Sequence, residues 1–262
     1  MIQLLLKLVL WKKFIVKQWI EREMSDMQAI IMAAGKGSRI EHLTKGYPKS
    51  FLEIHGKKLI ERNIDLLHKY GIWDITIVIG YRDDAFRDLT KDMPGIKLVY
   101  NPFYEMMNVI GSFWMGMDIL QDDFIYMHAD TICEESLFRR LLQQQGDIVL
   151  PVDTKSSDEE AMKVKTQGSQ VVEITKKMPA NESVGEFIGI AKLRKQVLDE
   201  LKEKTTDLMR DKIFNEYFES AIQRLIDEKN FDIRMMDTQG AFWAEIDFEE
   251  DYEQAKNGVS CE

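Results

Sequence analysis

The sequence predicts an α/β protein built on a mostly parallel mixed sheet with helices on both faces. Two observations carry that expectation. Short apolar runs such as Ala29–Met32 and Ile75–Ile79 are continuous rather than alternating, the pattern of strands buried on both sides. Between such runs lie stretches of about a dozen residues with apolar side chains at helical spacing, so strand and helix alternate. Size agrees with this. The chain has 262 residues, 45% of them hydrophobic, with only 5 prolines, enough for the core of one large domain.

In order, Ala29–Met32 is the first strand and runs into the small-residue loop Ala33-Ala34-Gly35-Lys36-Gly37-Ser38-Arg39. Phe51–Ile54 follows as a short strand. Leu59–Tyr70 is a helix with Ile60, Ile64 and Leu67 on one face, stopped by Gly71. Ile75–Ile79 is a strand, Arg82–Leu89 a helix and Lys97–Tyr100 a strand. Ser112–Leu120 is predicted as a helix, and Phe124–His128 as a strand ending at Ala129-Asp130. Glu135–Gln144 (helix) and Asp147–Val152 (strand) complete this half, residues 27–150. The second half, 151–256, changes character. Met162–Thr166 and Gln170–Thr175 alternate around Gln167-Gly168-Ser169 as a β-hairpin. Lys176–Glu186 is a polar loop and Phe187–Leu193 a strand. Helices at Gln196–Lys202 and Phe214–Glu228, strands at Ile233–Met236 and Phe242–Glu245, and a helix from Phe248 to Lys256 follow. Residues 257–262 form a tail.

Composition excludes some functions. A formal charge of −10 argues against general nucleic-acid binding, though not against a local cationic nucleotide site. Cys133 and Cys261 form neither a disulfide framework nor a zinc pattern, which suits a cytoplasmic protein. Residues 1–26 break their apolar runs with Lys7, Lys12, Lys13 and Lys17, too often to span a bilayer. They read as an amino-terminal extension, with an upstream start before Met24 or Met27 and an amphipathic membrane-surface helix as the two alternatives.

The glycine loop carries the chemistry. Gly35 and Gly37 let a backbone approach a polyphosphate and aim N–H groups at it, while Lys36, Arg39 and, in Tyr47-Pro48-Lys49-Ser50, Lys49 neutralise charge. The pattern is neither G-x-G-x-x-G nor a P-loop. A-A-G-x-G-S-R after a first strand, followed by P-K, resembles the signature of the NTP transferase (MobA-like) superfamily, which joins an NTP to a phosphorylated small molecule. That resemblance covers Met27–Lys256 and implies a Rossmann-like, GT-A-like nucleotidyltransferase fold with a small β-rich acceptor-side lobe. It also implies Mg²⁺, a hard ion that prefers carboxylates and phosphates. Asp130, at the end of an apolar strand, and Asp247, in W-A-E-I-D-F-E-E-D-Y, resemble the family's metal aspartates. Each has a plainer reading as a helix cap. His128 is read as a packing or supporting neighbour of Asp130, not a ligand.

Gly80-Tyr81 and Asn108-Val109-Ile110-Gly111-Ser112 resemble segments of the phosphocholine and 2-aminoethylphosphonate cytidylyltransferases. The implied nucleotide contacts are Ala33 to Arg39, Lys49, Gly80, Tyr81, Asn108 and Ser112, with CTP as donor; Ser112 reads equally as an N-cap. Lys49, Arg39 and Asp130 would be the catalytic groups. The same resemblance assigns Lys163 and Glu186 to the acceptor. Tyr217, Glu219 and Trp243 could surround a cationic head with aromatic faces and carboxylate, although Phe214, Tyr217, Phe218 and Ala221 also fit core packing at helical spacing. The expected reaction is Mg²⁺-dependent cytidylyl transfer to a phospho- or phosphono-amino alcohol. The alternatives are a sugar- or inositol-1-phosphate nucleotidyltransferase and a catalytically silent nucleotide-binding protein. A homodimer is compatible with the sequence.

Overall fold

The computed structural model describes residues 26–155 and 159–259. The expected amino-terminal extension, except for Asp26, and Cys261 lie outside them. The strands are β1 (Gln28–Ala33), β2 (Glu53–Ile54), β3 (Lys57–Lys58), β4 (Asp74–Ile79), β5 (Ile96–Tyr100), β6 (Phe124–His128) and β7 (Thr131–Cys133). They continue with β8 (Ile148–Asp153), β9 (Lys163–Gln167), β10 (Gln170–Thr175), β11 (Gly185–Phe187), β12 (Ile190–Leu193), β13 (Ile233–Asp237) and β14 (Trp243–Glu245). The helices are α1 (Glu41–Thr44), α2 (Leu59–Lys69), α3 (Asp83–Thr90), α4 (Val109–Gly116), α5 (Glu135–Gln143), α6 (Leu198–Arg210), α7 (Phe218–Glu228) and α8 (Glu249–Gly258).

Ten strands form one mixed sheet in the order β11-β9-β10-β13-β8-β12-β6-β1-β4-β5. The wing β6-β1-β4-β5 is parallel throughout, as continuous apolar runs require. Pleating sends alternate side chains to opposite faces. Ile30 and Met32 of β1 pack with Phe113, Tyr126 and Phe218 under α4, α6 and α7. Ala29, Ile31 and Ala33 pack with Ile64, Phe86 and Phe138 under α2, α3 and α5. The sheet is therefore the middle layer of three.

At β12 the polarity reverses, because β12 runs antiparallel to both β6 and β8. Beyond it, β11 pairs with β9 and also with β8, so β8, β13, β10, β9 and β11 close on themselves. This is the β-rich lobe, continuous with the main sheet. A third cluster, with Ile40, Leu52, Ile54, Ile246 and Ala255, fastens α8 to the loops after β1. Among the described residues no helix is long and apolar enough to cross a membrane.

Several expected boundaries move. The expected strand Phe51–Ile54 is a 3-10 turn, Lys49–Phe51, followed by the two-residue β2. The helix expected at Ser112 begins at Val109, because the Asn108 carboxamide accepts the Val109 N–H at 2.8 Å. Phe214–Tyr217 stay outside α7: the Phe214 and Glu216 carbonyls accept N–H bonds from Asn108 and Ile110 instead. The run Phe187–Leu193 is two strands, broken at Gly189, whose φ is +75°. The helix expected at Gln196–Lys202 runs on to Arg210. Finally, β14 leaves the main sheet and pairs with β7 in a separate ribbon.

Cys133 ends β7 half-buried, and burial, helped by Glu134, pushes its thiol up to about 12. A thiol titrating that high carries about a thousandth of the ordinary thiolate at neutral pH, and thiolate is the reacting form. In a Cys261→Ser chain, Ellman's reagent at pH 8 should therefore label Cys133 hundreds of times more slowly than free cysteine. Labelling within tenfold of free cysteine would refute this.

Candidate active site

A cleft of 630 Å³ opens at the carboxyl ends of β1 and β6, the position where open α/β sheets hold ligands. Two loops and one ribbon build it. The loop after β1 brings Ala34, Gly35 and Arg39; the turn after β6 brings Asp130; the chain leaving β14 brings Asp247.

Asp130 and Asp247 converge on Lys49. Its Nζ lies 2.5 Å from Asp130 Oδ2 and 2.5 Å from Asp247 Oδ1, and its side chain is 12% exposed. Burial alone would lower the ammonium, but the two carboxylates outweigh it and hold Lys49 above the ordinary lysine range. Asp247 is the converse: burial raises it, yet Lys49 and then Arg39 keep it below the usual carboxylate range. Arg39 also reaches Glu160 at 3.0 Å and lies 5.1 Å from the Phe248 ring. Gly37 has φ +70°, and a Cβ there would come within 2.6 Å of Lys49 Cβ. The second glycine thus makes the turn and clears a path for the lysine stem.

Two carboxylates from distant parts of the chain around one cation form a hard-oxygen pair of the kind Mg²⁺ prefers. His128, Asp130 and Glu245 also bring potential ligand atoms within 4.8 Å of one another. Both ring nitrogens of His128 are engaged, Nδ1 with Glu245 at 2.9 Å and Nε2 with the Tyr126 hydroxyl at 2.9 Å. Burial opposes charge on this ring, but Glu245, then Glu219 and Asp130, push it up to about 9. His128 therefore steadies Glu245 beside Asp130.

The other residues singled out in the sequence divide. Asn108, Ser112, Glu186, Tyr217, Glu219 and Trp243 line the cleft. Ser112 caps nothing; it sits within α4 and its hydroxyl accepts from Asn101 Nδ2 at 3.1 Å. Ala33, Lys36, Gly37, Ser38, Lys49, Gly80, Tyr81 and Lys163 are not among the lining residues. Gly80 lets Tyr104 and the Ala34 carbonyl approach, where a Cβ would sit 2.6 and 2.8 Å from them. Tyr81 donates its N–H to that carbonyl at 3.0 Å, so this pair shapes the glycine loop from behind. Lys36 pairs with Glu41 at 3.1 Å.

Lys163 needs correction as an acceptor contact. Only 2% of it is exposed, and its ammonium donates to the carbonyls of Glu159 at 3.0 Å and Lys176 at 3.1 Å. The lysines that line the cleft are Lys155 and Lys176, the latter with Nζ 4.4 Å from the Tyr217 ring. Lys176 follows a strand of alternating pattern, a signal too ordinary to single it out. Asp153, which accepts the Trp243 indole N–H at 2.8 Å, and Glu245 also line the cleft, beyond the residues the sequence singles out. Glu245 could have been found from its place two residues before Asp247.

Residues 29–218 match the model of the MobA-like NTP transferase domain. The chain belongs to that family. It is a nucleotidyltransferase. It is 28% identical to the CTP:phosphoglutamine cytidylyltransferase of Campylobacter jejuni, over 87% of this chain and 98% of that protein. It is 35% identical to the choline-phosphate cytidylyltransferase of Streptococcus pneumoniae, over 43% of this chain and 48% of that one. Among solved structures, the inositol-1-phosphate CTP transferase from T. maritima superposes with a TM-score of 0.72 at 25% identity, covering 91% of this chain and 99% of that one. The phosphocholine cytidylyltransferase structure from S. pneumoniae gives 0.75 at 23% identity, covering 88% and 98%, a likeness of fold. Asp247 lies beyond the matched residues, and the fold alone brings it to Lys49.

Proposed function

We propose that this nucleotidyltransferase uses CTP and a small phosphorylated or phosphonate acceptor with an amino-derived cationic head, releasing pyrophosphate. The observation that carries the reading is the acidic and aromatic lining of the cleft, where Asp153, Glu186, Glu219 and Glu245 stand with Tyr217 and Trp243. Carboxylates beside aromatic rings suit a cation. Relatives named for cytidylyl transfer support the choice of CTP.

In this reading an acceptor oxygen attacks the α-phosphorus of CTP. The new O–P bond forms as the α–β bridging bond breaks, and pyrophosphate leaves with the electron pair. No side-chain nucleophile is required; the protein supplies position and charge. Asp130 and Asp247 would hold Mg²⁺, which when bound neutralises phosphate charge. Arg39 and Lys49 provide cations at the glycine loop, and Asn108 with the Ala34 backbone borders the space left for the base. Lys176 and Lys155 also line the cleft, which favours a second acceptor class, a phosphorylated amino acid whose carboxylate they would meet.

The test is pyrophosphate release, crossing CTP, UTP, ATP, GTP and dTTP with phosphoethanolamine, 2-aminoethylphosphonate, phosphocholine, phosphoglutamine, inositol 1-phosphate and glucose 1-phosphate. Turnover should need CTP and an amine-bearing acceptor, vanish in EDTA and return with Mg²⁺. Turnover only with sugar or inositol phosphates would overturn the reading.

A further inference from the structure

We infer that the acceptor head is an ammonium that still carries N–H, received by Glu219, and that a quaternary ammonium is discriminated against. The inference rests on the cytidylyl-transfer reading and narrows its acceptor.

Glu219 sits in the first turn of α7, beside Phe218, whose ring stacks on Tyr126 at 3.8 Å between centroids. That stack anchors the first turn of α7. Glu219 lines the cleft yet is only 2% exposed, and its Oε2 has no hydrogen-bond partner. Neighbouring acids of the cleft are committed. Asp153 accepts from Trp243 at 2.8 Å and pairs with Lys155 at 3.4 Å, Glu245 holds His128, and Glu160 holds Arg39. Among the described residues lining the cleft, Glu219 Oε2 is the buried side-chain oxygen left without a donor.

A buried acceptor without a donor is unfavourable, and a ligand N–H that supplies one is rewarded. A trimethylammonium group has no N–H to give. Its usual recognition is by open aromatic faces, and the Tyr217 face already carries the Lys176 ammonium. The cleft therefore offers an N–H acceptor at Glu219, while the ring of its sequence neighbour Tyr217 is covered. Sites built to hydrogen-bond a substrate N–H reject analogues lacking it strongly, here by an expected hundredfold or more.

The experiment is a methylation series at fixed phosphate: phosphoethanolamine and its mono-, di- and trimethyl forms, each with CTP and Mg²⁺, measured as kcat/KM. The first three members retain at least one N–H when protonated; the last does not. The wild-type enzyme should fall about a hundredfold at the last methylation. In Glu219→Met, with CTP affinity as the check on folding, the ratio between dimethyl and trimethyl forms should shrink at least tenfold. Equal wild-type efficiency across the series, or an equal loss for every acceptor in the variant, would overturn the role of Glu219. Failure of all four acceptors, with CTP turned over on a sugar or inositol phosphate, would instead overturn the underlying reading.

Discussion

Lys49→Met should lower kcat/KM for pyrophosphate release by about a thousandfold, the scale seen when one positioned electrostatic group is removed from an active site. Methionine keeps the length of the stem that passes Gly37, so the loop should stay in place. What disappears is the charge between Asp130 and Asp247, each 2.5 Å from the ammonium. The two carboxylates then keep Arg39, 3.4 Å from Asp247, as a counter-charge but should still take up a divalent ion more tightly. The expected result is a split: kcat falls steeply while the Mg²⁺ concentration for half-activation falls as well. Steady-state kinetics across a Mg²⁺ titration measures both. A variant within fivefold of wild type, or one needing more Mg²⁺, would mean the ammonium is a structural counter-ion only.

Gly189→Ala is expected to damage fold and site together. Gly189 has φ +75°, and its added Cβ would lie 2.8 Å from His128 Nδ1 and 3.1 Å from Thr131 Oγ1. The left-handed backbone costs about 1–2 kcal/mol in an alanine, and crowding a packed region about 1–3 more. The sum, about 2–5 kcal/mol, corresponds to a fall in Tm of roughly 5–15 °C for a chain of this size. Activity should drop too, since the ring pushed aside is the one that holds Glu245. Gly168 is the control. It has φ +64° but nothing within 4 Å of an added Cβ, so Gly168→Ala carries the backbone cost alone. Thermal unfolding of the two variants side by side decides the matter, and equal losses would remove the crowding argument.

The strand positions were legible because burial on both faces writes itself as unbroken apolar runs, and Gly71 marked the end of α2 as plainly as any signal could. Boundaries failed where backbone partners come from far away. The Asn108 side chain starts α4 early, and α4 in turn takes the carbonyls that would have let α7 begin at Phe214. Phe187–Leu193 looked like one strand because a single glycine inside an apolar run does not announce its φ. At the site, Asp130 was legible from its strand end, and Asp247 from the resemblance of its motif to a family segment. The identity of the cation between them was not, since nothing local ties Lys49 to a residue 198 positions away. The exchange of Lys163 for Lys176 has the same origin. Both are lysines around one hairpin, and only the closed lobe decides which ammonium meets backbone carbonyls and which meets the cleft.

That separation also sets an order of events during synthesis. A nascent chain that has extended through Lys49 and Asp130 can already form β1, β4, β5 and β6 as a parallel wing, and chains fold from the amino-terminal side as they emerge. Its constellation is nonetheless incomplete until β14 has cleared the ribosome, zipped onto β7 and carried Asp247 across. The glycine loop, Lys49 and Asp130 are therefore translated long before Asp247 can join them.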